Sequence, residues 1–68
     1  MKYVYDNIKF DTLIDAKEYV LNHVRISDVP FLFAPKIYKE DDRGEICGTC
    51  EFRVLHDKLK FGRMRQFC

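Results

Sequence analysis

The stretch from Glu45 to Leu55, Glu-Ile-Cys-Gly-Thr-Cys-Glu-Phe-Arg-Val-Leu, constrains the fold more than any other part of the chain. Its even positions, Ile46, Gly48, Cys50, Phe52 and Val54, are apolar or glycine. Its odd positions, Glu45, Cys47, Thr49, Glu51, Arg53 and Leu55, are mostly polar. Strict alternation marks a β-strand with one buried and one wet face. Turn-forming residues flank it, Asp41-Asp42-Arg43-Gly44 before and His56-Asp57-Lys58 after, so the stretch is the expected middle strand of an antiparallel meander.

Lys36–Glu40 and Leu59–Phe67 are the outer strands of that meander. In the second, Leu59 and Phe61 alternate inward, and Gly62 then shifts the register so that Met64 takes the apolar position. At the other end of the chain, Lys2–Tyr5 and Ile8–Phe10 are short β-type runs joined by Asp6-Asn7, a pair that tolerates the positive φ of a two-residue hairpin turn. Asp11 or Thr12 caps a helix, with Thr12-x-x-Asp15 as a variant of the capping box. Leu13, Ala16, Val20 and Val24 recur at helical spacing, and Ile14 and Leu21 widen the stripe. Asp15, Glu18, Asn22 and Arg25 project from the far side, while Lys17 sits at the edge, where its stem can pack. Ser27-Asp28-Val29-Pro30 ends the helix, because proline disfavours helix at the residue before it. Phe31-Leu32-Phe33-Ala34 is a compact apolar run leading to Pro35. The order β-β-α-β-β-β is an α+β fold, a small antiparallel sheet with one amphipathic helix packed on one face.

With 68 residues the chain is a single domain, 1–68. A domain of this size buries roughly 60% of its unfolded surface, and its core supplies on the order of 3–5 kcal/mol. A composition 47% hydrophobic and 15% aromatic argues against disorder. Carving a substrate pocket from so few residues would remove the core, which weighs against an enzyme. No Ser-His-Asp or Cys-His-Asn arrangement, glycine-rich phosphate loop or HExxH motif occurs, and no cofactor is implied. Three cysteines, an odd number, do not suit a secreted disulfide scaffold. No signal-peptide h-region or membrane-length apolar run is present, and a cytoplasmic protein is expected.

The net charge is +1, but it is unevenly spread. Residues 1–57 carry eight Lys/Arg against eleven Asp/Glu, a balance of −3, whereas residues 58–68 carry Lys58, Lys60, Arg63 and Arg65 and no acid. With Arg53 on the neighbouring strand, these five cations form the candidate partner-binding surface. Phe61 and Phe67 lie among them, so phosphate binding with base stacking is open to the same strands, against the plainer reading of a solvated strand face. The acids cluster at Glu40, Asp41, Asp42 and Glu45 around one hairpin, and at Asp15 and Glu18 on the outer helix face; an Asp-rich turn is first of all a turn.

Cys47-x-x-Cys50 has zinc-knuckle spacing, and His56, Cys68 and His23 are the available further ligands. Strand parity opposes this, since residues three apart point to opposite faces, leaving Cys50 as a small core residue and Cys47 as an exposed thiol. Thioredoxin-like chemistry would need the first cysteine at a helix N-terminus, and no helix follows. No metal site is therefore assigned.

Asn7-Ile8-Lys9-Phe10-Asp11-Thr12-Leu13-Ile14-Asp15-Ala16-Lys17-Glu18-Tyr19 resembles the hairpin-to-helix opening of small phage-encoded proteins, one group of which resembles nucleases with a G-I-x-F-D-S-x-x-E-A opening. That likeness would set Asp15 at the acidic helix position and Glu51 at a strand carboxylate, but the strand lysine and second carboxylate of a nuclease have no counterpart here. The resemblance implies a phage takeover or counter-defence protein. The reading that follows is a small non-enzymatic binding protein that inhibits or redirects a host macromolecular complex in the host cytoplasm, through Arg53, Lys58, Lys60, Arg63 and Arg65. Nucleic-acid binding by the same strands and a zinc-stapled interaction module are the alternatives. The exposed edge at Leu59–Phe67 would also allow a homodimer by strand pairing.

Overall fold

A computed structural model of the chain describes residues 1–32 and 35–67. Its elements are β1 (Lys2–Tyr5), β2 (Ile8–Phe10), α1 (Leu13–His23), a 3-10 helix (Ile26–Phe31), β3 (Lys36–Glu40), β4 (Ile46–Leu55), β5 (Lys58–Phe61) and β6 (Arg65–Gln66). The strands form one antiparallel sheet in the order β2-β1-β3-β4-β5, with β6 also paired to β4. The α+β architecture is as the sequence implies, with α1 across one face.

Local chemistry explains the elements. Asp6 and Asn7 carry φ of 54° and 61°, and His56 and Asp57 carry 53° and 60°. Both tips are therefore two-residue turns with left-handed backbone, whose twist matches that of the strands they join. Thr12 caps α1, its Oγ1 accepting from the Asp15 N–H at 3.1 Å. Asp41 organises the β3–β4 turn: its Oδ1 accepts from the N–H groups of Arg43 and Glu45, each at 2.9 Å. Those two bonds, the one from Glu45 foremost, hold the Asp41 carboxyl below its ordinary range. Gly44 completes this turn at φ 81°, a conformation that costs glycine little.

The core is Ala16, Val20, Val29, Ile37, Cys50 and Phe52, with Tyr3, Tyr5, Phe10, Leu13, Leu59, Phe61 and Met64 among the residues packed around it. Aromatic rings run through it: Tyr5 and Phe52 meet edge to face at 5.6 Å, the geometry that the ring quadrupole favours, while Phe52 and Phe61 at 5.8 Å and Phe10 and Tyr19 at 5.5 Å are tilted. The Lys17 stem packs along the helix edge as its position implies, with Nζ 5.3 Å from the Phe61 ring centre.

Several expectations are corrected. Ile14 and Leu21 do not widen the buried stripe of α1; they are 68% and 55% exposed. The packed flank runs through Tyr19 instead, whose ring meets Tyr5, Phe10 and His23. The break after α1 is six residues of 3-10 helix, about two turns, that bury Val29 and leave Phe31 out. Of the apolar run after it, Phe33 and Ala34 lie outside the described residues. The last strand is not continuous. Phe61 faces Phe52 but Arg65 faces Thr49, so four residues of the last segment span three of β4. The added residue falls at Gly62–Met64, where the glycine signal placed it.

Cys47 is the largest correction. It is 2% exposed rather than an exposed thiol, and Ile46, expected inward, is exposed. The cause is a second bulge: Lys39 faces Gly48 while Glu40 faces Ile46, leaving Cys47 as the extra residue. Such an insertion resets the side-chain alternation for everything on its far side. The sequence pattern of β4 is therefore right from Gly48 onward and inverted before it.

Next to this bulge, Lys39 points to the core side of the sheet and is only 9% exposed. Its Nζ donates to Gln66 Oε1 at 2.6 Å. Gly48 lies between these two strands, and a Cβ there would meet the Arg65 carbonyl at 2.9 Å and the Lys39 Cβ at 3.2 Å. The missing side chain lets β6 close onto β4 above the buried lysine.

Candidate functional site

Helix α1 and the 3-10 helix occupy one side of the sheet; the other side has no covering element among the described residues. Strand parity sets what this open side carries. Val4, Lys9, Lys36, Tyr38, Glu40, Thr49, Glu51, Arg53, Lys60 and Arg65 all alternate with core residues and share it. Directly opposed positions make rows across the strands. One row runs Lys9, Val4, Tyr38, Thr49, Arg65, the next joins Lys36 to Glu51, and the last joins Arg53 to Lys60.

The two ends of this face differ electrostatically. Toward β1 and β2 every lysine has a carboxylate. Lys2 pairs with Asp11, Lys9 with Glu40 at 3.0 Å, and Lys36 approaches Glu51 at 4.0 Å. Toward β5 and β6 the predicted set, Arg53, Lys58, Lys60, Arg63 and Arg65, makes no ion pair or side-chain hydrogen bond with any described residue. Arg53 and Lys60 stand directly opposite each other, an arrangement that destabilises a sheet. Four of the five, Arg53, Lys60, Arg63 and Arg65, line a single hollow of about 300 Å³ together with Glu51, Leu55, Phe61 and Gly62. Lys58 faces Leu55 at the hairpin end. The bulge at Gly62–Met64 is what brings Arg63 and Arg65 to the hollow along with Lys60.

A second hollow, of about 330 Å³, lies at the β1–β3 end and is lined by Val4, Tyr5, Asp6, Asn7, Leu32, Pro35, Lys36 and Tyr38. Tyr38 is half-buried and makes no ring contact and no hydroxyl hydrogen bond with the described residues. Sequence reasoning did not single it out. Its signal was nevertheless present, since Tyr38 shares parity with Lys36 and Glu40 and opposes the inward Ile37.

The other candidate sites are not assembled. Cys50 is in the core, its Sγ 3.4 Å from the Gly62 carbonyl, and burial pushes its thiol up from the ordinary value. His56 is at the β4–β5 tip, about 30 Å along the strand from Cys47 at strand rise. His23 ends α1, stacked on Tyr19 at 4.1 Å with Nδ1 3.0 Å from the Tyr19 carbonyl. Cys68 lies outside the described residues, and among those described no group of three metal-ligating side chains converges. Asp15 is on the exposed first turn of α1 and Glu51 on the open sheet face, so the sheet separates the two carboxylates that the nuclease likeness would unite. No described helix is long and apolar enough to cross a membrane. No family model, curated protein or solved structure matches this chain, so the geometry of the open face carries the functional argument alone.

Proposed function

We propose that the protein is a non-enzymatic binding module that engages an anionic surface of a larger macromolecular assembly through the open sheet face. The observation that carries this is the cluster of five cations that form no ion pair with a described carboxylate while the lysines at the other end of the same face are paired. Keeping Arg53 opposite Lys60 costs stability in a domain that has little, and an anion that binds both would offset the repulsion. On this reading its output is occupancy: it blocks or redirects what it binds. Takeover of a host complex in the cytoplasm, the role that phage proteins with a similar opening suggest, is one setting for such a module.

The test is capture from bacterial lysate by the tagged protein, compared with the Lys60→Glu, Arg63→Glu double variant. The expected result is a stoichiometric partner held by the original chain and lost in the variant, with unchanged circular dichroism. Equal capture by both would remove the cationic hollow from consideration.

A further inference from the structure

We infer that the anion is single-stranded nucleic acid, laid along the open face with a base against Tyr38 and its phosphates among Arg53, Lys60, Arg63 and Arg65. This rests on the anionic-partner reading above and names the partner for that same face.

Two hollows of similar size, reached by Tyr38 at one end of the open face and by Arg53, Lys60 and Arg65 at the other, differ in chemistry. The one at β4–β6 is cationic. The other has an apolar lining of Val4, Tyr5, Leu32, Pro35 and Tyr38, with Asp6, Asn7 and Lys36 beside it. Thr49 is directly opposite both Tyr38 and Arg65, and Arg53 lies four residues farther along β4. At strand spacing and strand rise, the Tyr38 backbone is about 10 Å from Arg65 and about 14 Å from Arg53. A few consecutive nucleotides span that range. Base–aromatic stacking accepts any base, because every base has a π-face, and the basic groove follows the backbone.

The alternatives use less of the face. An acidic peptide would neutralise the cations but leave the Tyr38 hollow unfilled. A duplex is read by an element that enters a groove, and the described residues present a sheet surface there with no helix on it. The Tyr38 ring, half-buried and with no ring contact among the described residues, is placed as a stacking platform; Tyr3, Tyr5 and Tyr19 pack in or around the core, Tyr5 also lining the hollow beside Tyr38.

Fluorescence anisotropy with a labelled oligothymidylate of about ten nucleotides, the matching blunt duplex and polyglutamate tests this on the intact chain. The single strand should bind at least about 10-fold more tightly than either competitor. Tyr38→Leu should weaken it about 10-fold, since loss of one stacked base costs of that order, and leave the slope of log K against log salt unchanged. Tyr38→Phe should bind as the original does, which separates stacking from a folding defect. Lys60→Glu with Arg63→Glu should flatten the salt slope by about two contacts. Polyglutamate binding as tightly as the single strand, or Tyr38→Leu binding undiminished, would overturn the inference. If the oligonucleotide fails to bind while the charge reversal still abolishes capture from lysate, nucleic acid is excluded and the anionic-partner reading stands. If capture survives the reversal, that reading falls as well.

Discussion

One sheet presents two faces, and they are built to different standards. On the helix side, side chains are chosen for fit: Phe52 meets Tyr5 edge to face and Phe61 at a tilt, Ile37 and Cys50 are fully enclosed, and Lys39, the one buried cation among the described residues, donates a hydrogen bond to the Gln66 side-chain oxygen. On the open side, half of the face is neutralised by local ion pairs and half is not. Packing explains the first face completely and leaves the second unexplained at Arg53, Lys60, Arg63 and Arg65. Residues that lower stability where stability is scarce are the ones to associate with binding.

If that division is right, changes on the two faces should move stability and binding independently. The largest effect should come from Phe52→Ala, which removes the ring at the centre of the aromatic chain. A loss of about 3–5 kcal/mol would match the whole stability expected of a domain this size, and a thermal melt followed by circular dichroism should show no cooperative transition. Gly48→Ala comes next. The added Cβ has only 2.9 Å to the Arg65 carbonyl, so β6 must shift, and urea unfolding should report a loss of about 1–3 kcal/mol.

Lys60→Glu should have the opposite sign. It places a carboxylate opposite Arg53, and stability should rise by about 0.2–1 kcal/mol while partner capture falls. A stabilised variant that still bound its partner would break the contrast between the faces. The smallest effect concerns pH. Cys50 keeps its proton in the fold above its ordinary value of 9.0, because burial disfavours the thiolate. The unfolded chain loses that proton first, so the contribution of Cys50 is intact below 9.0 and declines as pH rises beyond it. Urea midpoints measured from pH 8 to pH 10.5 should fall, and should fall less in Cys50→Ala after correction for its lower starting value.

Much of this was legible along the chain because it is local. The Asp6-Asn7 and His56-Asp57 turns, the Thr12 cap and the parity of Gly48 through Val54 depend on neighbouring residues, and the structure has them where the sequence put them. The burial of Cys47 was not legible, since a bulge is decided by what the facing strand offers: here Lys39 and Glu40 of β3 together set the slip. Ile14 and Leu21 misled because an apolar residue on a helix declares a preference, not a partner, and α1 meets the core along the stripe of Leu13, Ala16, Val20 and Val24. The five cations were found as a composition, and the bulge at Gly62–Met64 then made a hollow of four of them. Tyr38 was overlooked because a single aromatic in a short strand reads as core until its parity is taken against Ile37.

The two hairpin tips have a consequence for how such a chain can change. Asp6, Asn7, His56 and Asp57 all hold a left-handed backbone without being glycine, and each gives up a fraction of about 1–2 kcal/mol to do so. Replacing Asp57, which lines neither hollow, with glycine would recover part of that. The fold therefore holds stability in reserve at a turn that lines neither hollow. A lineage under pressure to alter what it binds could accept costly substitutions on the open face and restore the balance at a turn, so the turns help set how fast the surface can evolve.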